Sequence, residues 1–196
     1  MPRLLAIAAV VAATILAAGC GSDEAAPPPA RAAPPQRAEL GWTERSPAKG
    51  PGLVFRTRWF EVTETGWEAD VEIENRTAIT WEVGADRLAV GQSFGIMLFA
   101  TGELDEVERR GRDSDLPGLR PAQRFVPALP ARLAPRAHWR GVISAPGTLA
   151  SGRYVRVVYG PLIALGDAPN GMPSQFVWIT DNTYRLRGTG ATVGEP

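Results

Sequence analysis

The chain offers few residues of the kinds that do covalent or metal chemistry. Its 196 residues contain one cysteine, Cys20, and one histidine, His138. Composition therefore excludes an internal disulfide, a cysteine–histidine zinc site and a histidine cluster. His138 precedes an alternating run in which Trp139, Gly141 and Ile143 share one face, which places it beside Arg140 on the other, outer face. A histidine base also needs a nucleophile and an orienting acid, and nothing in the sequence supplies them. No serine sits in a Gly-x-Ser-x-Gly elbow, and neither a phosphate loop nor a dinucleotide fingerprint is present. Carboxylates are the remaining candidates. Glu68, Asp70, Glu72 and Glu74 fall on one face of an expected strand, but successive members stand about 7 Å apart, too far to share a metal ion without help from a neighbouring strand. Asp113-Ser114-Asp115 lacks the glycine and terminal glutamate of a calcium loop. A glycosidase-type carboxylate pair stays open, because it is defined by a separation of about 5 to 9.5 Å in space. The expectation is a non-enzymatic protein with no cofactor and no metal site.

Cys20 has the most informative surroundings. Arg3 precedes a run from Leu4 to Leu16 that is apolar apart from Thr14, and Ala17, Ala18 and Gly19 lead into the cysteine. That is the form of an export signal. The apolar stretch is shorter than the roughly 20 residues a membrane-crossing helix needs. Leu16, Ala17, Ala18, Gly19 and Cys20 resemble the lipobox of bacterial lipoproteins, with Ala17 where the commonest pattern has Leu. The resemblance implies cleavage after Gly19, acylation of Cys20 and attachment to the extracytoplasmic side of the cell membrane. Two acyl chains hold a protein at a bilayer where one does so only marginally. The competing reading is a secretory signal with Cys20 incidental.

The stretch after Cys20, rich in Pro, Ala, Ser, Asp and Glu and including Pro27-Pro28-Pro29 and Pro34-Pro35, has no apolar periodicity. The reading is a signal over 1–19, a lipidated, disordered linker over 20–50 and one domain over 51–196.

Within that domain the pattern has period two. Trp67, Ala69, Val71 and Ile73 alternate with the four carboxylates, and Ile79, Trp81 and Val83 alternate with Thr80 and Glu82. These patterns predict one hairpin from 53–63 with 67–74 and a second from 67–74 with 78–83. Phe55, Thr57 and Trp59 share one face while Phe60 and Val62 share the other, so a bulge is expected near Trp59. Further strands are expected at 94–99, 123–126, 137–144, 153–159, 175–180 and 183–187. Only Glu103–Arg110, inside a long charged loop over 101–122, suits a short helix. The sum is an all-β antiparallel sandwich of about 8–9 strands.

Trp139 to Ser144, then Pro146-Gly147 and Ser151-Gly152-Arg153-Tyr154-Val155, resemble the later strands of immunoglobulin-like domains, in which a Gly-x-Tyr corner ties the tyrosine hydroxyl to upstream backbone. The chain as a whole resembles small bacterial lipoproteins that carry such a domain. It is distantly similar to sandwich modules that include a proteinase-inhibitor type, so an extracytoplasmic enzyme or inhibitor is the alternative function.

Formal charge is zero, with 21 Lys+Arg against 21 Asp+Glu, which disfavours a nucleic-acid partner. The zero is a cancellation. Residues 61–115 hold 14 acids and 5 arginines, a net of −9, whereas residues 116–166 hold 7 arginines and no acid, a net of +7. One account pairs these charges inside the domain. The other makes Arg120, Arg124, Arg132, Arg136 and Arg140 a patch for an anionic envelope polymer, a lipid surface or an acidic protein partner.

Overall fold

The computed structural model describes residues 31–84 and 94–188. The expected signal with Leu16 to Gly19, Cys20 and the linker as far as Ala30 lie outside the described residues. The elements are β1 (Gln36–Ser46), β2 (Leu53–Val62), β3 (Gly66–Asn75), β4 (Thr80–Val83), β5 (Gly95–Phe99), α1 (Leu104–Arg112), β6 (Arg120–Pro121), β7 (Arg124–Val126), β8 (Arg132–Leu133), β9 (His138–Pro146), β10 (Tyr154–Leu165), β11 (Gln175–Ile179) and β12 (Tyr184–Arg185).

One antiparallel sheet has the order β1-β2-β3-β9-β7. The second is built on β10. Along one edge β10 pairs with β5 and then β4; along the other it pairs with β12 and then β11. β6 extends the sheet from β5, and β8 extends it from β4. The two sheets face each other across a core that includes Phe55, Phe60, Trp67, Val71 and Ile73 from the first and Trp81, Ile96, Val155, Val157, Tyr159 and Leu162 from the second. The fold is an all-β antiparallel sandwich.

Alternation governs which side chains enter that core. Trp67, Ala69, Val71 and Ile73 of β3 are all buried, and β2 pairs with β3 as the first expected hairpin. The second expected hairpin does not form. β3 instead pairs with β9, while β4 joins the opposite sheet. Asn75 redirects the chain. Its fully buried amide Nδ2 lies 2.8 to 3.0 Å from the carbonyls of Ile79, Leu133 and Ala134, and its Oδ1 accepts from Thr77 N and Oγ1. A short polar side chain that satisfies backbone groups on both sides of a turn makes this connection a crossover between sheets.

The linker expected over 20–50 ends earlier than its composition suggested. Gln36–Ser46 is the edge strand of the first sheet, and Ala33 N donates to Leu149 O at 2.7 Å. In β1 polar residues alternate with Ala38, Leu40 and Trp42, and the alternate positions are only half-buried, so a weak apolar signal suffices for an edge strand.

The 101–122 segment is a cover rather than a bare loop. It contains α1, and Val107, Leu116 and Leu119 pack on Met97, Phe99 and Val158 over the outer face of the second sheet. β10 continues past Gly160 and Pro161 to Leu165, beyond the strand expected at 153–159, with Leu162 fully buried.

A buried bond joins the two sheets. Tyr159 Oη donates to Arg56 O at 2.7 Å and shares a 2.8 Å bond with Thr57 Oγ1. Tyr159→Phe keeps the ring packing and leaves a buried carbonyl and hydroxyl short of a partner. It is expected to cost about 1–3 kcal/mol, read as a lower urea midpoint with an unchanged slope.

Candidate functional site

The outer face of the first sheet carries a shallow depression produced by two adjacent bulges. Between β1 and β2 the register runs from Glu39 opposite Trp59 to Trp42 opposite Thr57, so Leu40 and Gly41 face the single residue Arg58. Between β2 and β3 it runs from Thr57 opposite Val71 to Trp59 opposite Asp70, which leaves Arg58 without a partner. Gly41 has φ +60°, a left-handed conformation that side-chain-bearing residues rarely adopt. Stacked bulges bend the sheet locally and turn Arg58 outward. The depression has a volume of about 500 Å³ and is lined by Glu39, Leu40, Gly41, Arg58, Trp59, Asp70 and Arg140.

Ion pairs order this face. Arg140 holds Asp70 with both branches of its guanidinium, at 3.0 Å from Nε and 2.6 Å from Nη2; Asp70 is buried and Arg140 exposed. Arg56 bridges Glu72 at 2.6 Å and Glu74 at 2.9 Å, Arg58 reaches Glu72 at 3.1 Å, and Arg76 reaches Glu74 at 2.7 Å. Arg37 contacts Glu39 and Glu61, and its guanidinium carbon sits 4.0 Å from the Trp59 ring centroid. The hydrogen bond from Arg76, then that from Arg56, hold the Glu74 carboxyl down at about 2. Among the described residues, Arg58 Nε and Nη1, Arg140 Nη1 and Trp59 Nε1 find no hydrogen-bond acceptor. Unused donors beside a half-buried indole suit a ligand rich in acceptor oxygens.

The five arginines singled out by charge do not gather in one patch. Arg140 lines the depression, and Arg124 lies on β7 opposite Ser144, towards the other end of β9. Arg120 and Arg132 extend the second sheet, opposite Ile96 and Glu82. Their places along β10, Val157 and Ile163, are six residues or about 20 Å apart. Arg136 lies between β8 and β9, with φ +64°. The chain from 120 to 140 passes from the second sheet to the first, back, and across again, which scatters residues that are neighbours in sequence. His138 is exposed at the start of β9, beside Arg140.

Tyr154 does not make the expected corner bond. Its ring packs on Gly102 and lies 5.8 Å from the Arg185 guanidinium, and its hydroxyl has no hydrogen-bond partner among the described residues. The tyrosine that ties to upstream backbone is Tyr159.

A second polar cluster is structural. Glu44 accepts from Trp178 Nε1, Asp181 N, Asn182 N and Asn182 Nδ2 at 2.7 to 3.0 Å. Arg156, fully buried, donates to the carbonyls of Thr180, Asp181 and Gly102 and lies over the Phe99 ring. Burial pushes the Arg156 pKa down, and burial together with the Glu44 charge pushes the Asp181 carboxyl up.

The chain matches no known protein family, no curated protein and no solved structure.

Because Glu74 is held below its ordinary value of 4.5, its contribution to stability is complete above that pH and is lost as pH falls towards 2. Glu74→Gln is expected to narrow its stability gap to the wild type steadily across that window, measured by urea unfolding at stepped pH.

Proposed function

We propose that this is a membrane-tethered, extracytoplasmic lipoprotein whose immunoglobulin-like sandwich serves as a non-enzymatic binding module at the cell envelope. One observation carries the reading: a run of Leu16, Ala17, Ala18 and Gly19 ends at the only cysteine, eleven residues before the first described residue, Arg31. An anchor placed there leaves the whole sandwich outside the bilayer. The passage of 120–133 from one sheet to the other and back supports an immunoglobulin-like arrangement, because such domains let an edge segment exchange sheets.

The partner is an envelope polymer with hydroxyl or acidic groups, held in the depression over the bulges. Arg58, Arg140 and Trp59 supply donors and an aromatic surface, and Asp70 fixes Arg140 in place. A binding role fits these residues better than catalysis. Arginines engage the carboxylates of Asp70, Glu72 and Glu74, and Glu74 is held down at about 2, whereas a general acid needs its proton held near neutral pH.

Growth with a clickable fatty acid is expected to label the wild-type protein and send it to the membrane fraction, and Cys20→Ala to abolish both; an unlabelled wild type refutes the anchor. For the depression, Trp59→Ala is expected to weaken retention on purified envelope polymer by about 2 kcal/mol, roughly thirtyfold, with little change in melting temperature. Unchanged retention removes the depression from the binding role.

A further inference from the structure

We propose that the end of the sandwich from which the tether leaves is a docking surface for anionic membrane lipid. The proposal rests on the lipid-anchor reading of Cys20 and adds an orientation to it. The first described residue, Arg31, accepts from Ser151 N at 2.8 Å, and Ala32 bridges Ala150, so the chain enters the fold against the β9–β10 turn. The eleven residues from Cys20 to Ala30 reach at most about 40 Å. β10, with twelve residues, is itself about 40 Å long. A tether no longer than the domain keeps this end towards the bilayer.

The same end holds six exposed arginines without ion pairs among the described residues. Arg31 and Arg153 flank the β9–β10 turn. Arg120 reaches it by donating to Thr148 O at 2.9 Å. Arg185 pairs opposite Tyr154 at the start of β10, Arg187 is bound through its backbone to Gln36, and Arg124 lies two residues from the end of β9 in register. All six are exposed, and among the described residues none has a carboxylate within ion-pair distance. Glu64, in the β2–β3 turn, Glu68, and Glu103, which follows the Gly102 packed on Tyr154, are acids of this end, so six arginines stand against three carboxylates and the balance is positive. Over the face of the first sheet the arrangement is the reverse, with Arg37, Arg56, Arg58, Arg76 and Arg140 each bonded to carboxylates.

Guanidinium groups left unpaired at the end nearest the anchor present free donors to phosphate oxygens, and each basic residue near an anionic surface adds attraction that salt screens. Docking fixes the sandwich upright, with the depression of the first sheet facing sideways into the envelope.

The test uses the full chain carrying Cys20→Ser, floated with phosphatidylcholine vesicles with and without phosphatidylglycerol over a salt series. The leader, with Arg3 and the chain's amino group, is common to every variant, so the change between a variant and its parent reads the substituted arginine. A clear preference for the anionic vesicles that fades with salt is expected. Arg120→Gln, Arg153→Gln and Arg187→Gln are each expected to lower it roughly fivefold. Arg132→Gln and Arg136→Gln, at the far end, are expected to leave it unchanged. No preference for anionic vesicles, or an equal loss from the far-end variants, overturns the docking surface. Fatty-acid labelling of the wild type separates the two ideas: a labelled protein without vesicle preference refutes docking alone, and an unlabelled one with preference refutes the anchor alone.

Discussion

The burial of β10 on both faces is the constraint from which the rest of the fold follows. Val155, Val157, Tyr159 and Leu162 point into the sandwich, while Arg156 and Val158 point the other way. An outer sheet face of a sandwich ordinarily meets water. Here it carries Met97, Phe99 and Val158, whose exposure would cost about 1.5–3 kcal/mol for each large apolar side chain. The 101–122 segment covers them, and in doing so it seals Arg156 away from solvent. A buried guanidinium is tolerable only when its donors are met. The carbonyl of Gly102, where the cover begins, meets Nη2, and those of Thr180 and Asp181 on the opposite side meet Nη1, while Nε is left buried without a partner among the described residues. Arg156 thus ties the start of the cover to the connection between β11 and β12, which gives a charged residue a structural role in the middle of an apolar strand.

The long open side of the sandwich is closed by polar side chains of β1. Glu44 gathers the turn between β11 and β12, and Gln36 does the same for the segment after β12, accepting from Tyr184 Oη and Arg187 N and donating to Arg187 O. These bonds join edges of different sheets where ladder hydrogen bonds cannot. The bulge at Leu40 and Gly41 and the charges of Arg37 and Glu39 also make β1 a poor template for pairing with another chain. One irregular edge strand therefore closes the sandwich, protects its edge and shapes the depression on its outer face.

Charge is sorted by location. On the first sheet, arginines from β2 and β9 lie across the carboxylates of β3 and pair with Asp70, Glu72 and Glu74. The arginines around the β9–β10 turn have no such ion pairs among the described residues. A formally neutral chain consequently has a salt-bridged face and a basic end, and these two regions suit different kinds of contact.

The sequence by itself determined the kind of fold and most of its strands. Period-two burial is a local property, so β3 was legible from Trp67 to Glu74, and the phase break at Trp59 announced the bulge. The composition-based boundary at residue 51 failed because an edge strand buries one half-covered face and needs few apolar residues. Pairing was beyond local reading. Which sheet β4 would join depended on Asn75 meeting carbonyls some sixty residues away, at Leu133 and Ala134. The candidate site was half visible: Arg140 stood out by charge and Trp59 by phase, but the matching bulge at Leu40 and Gly41 lay in a stretch that read as linker. Only the tertiary structure decided which arginines share a surface, because the chain changes sheets repeatedly between 120 and 140, and proximity in sequence there says little about proximity in space.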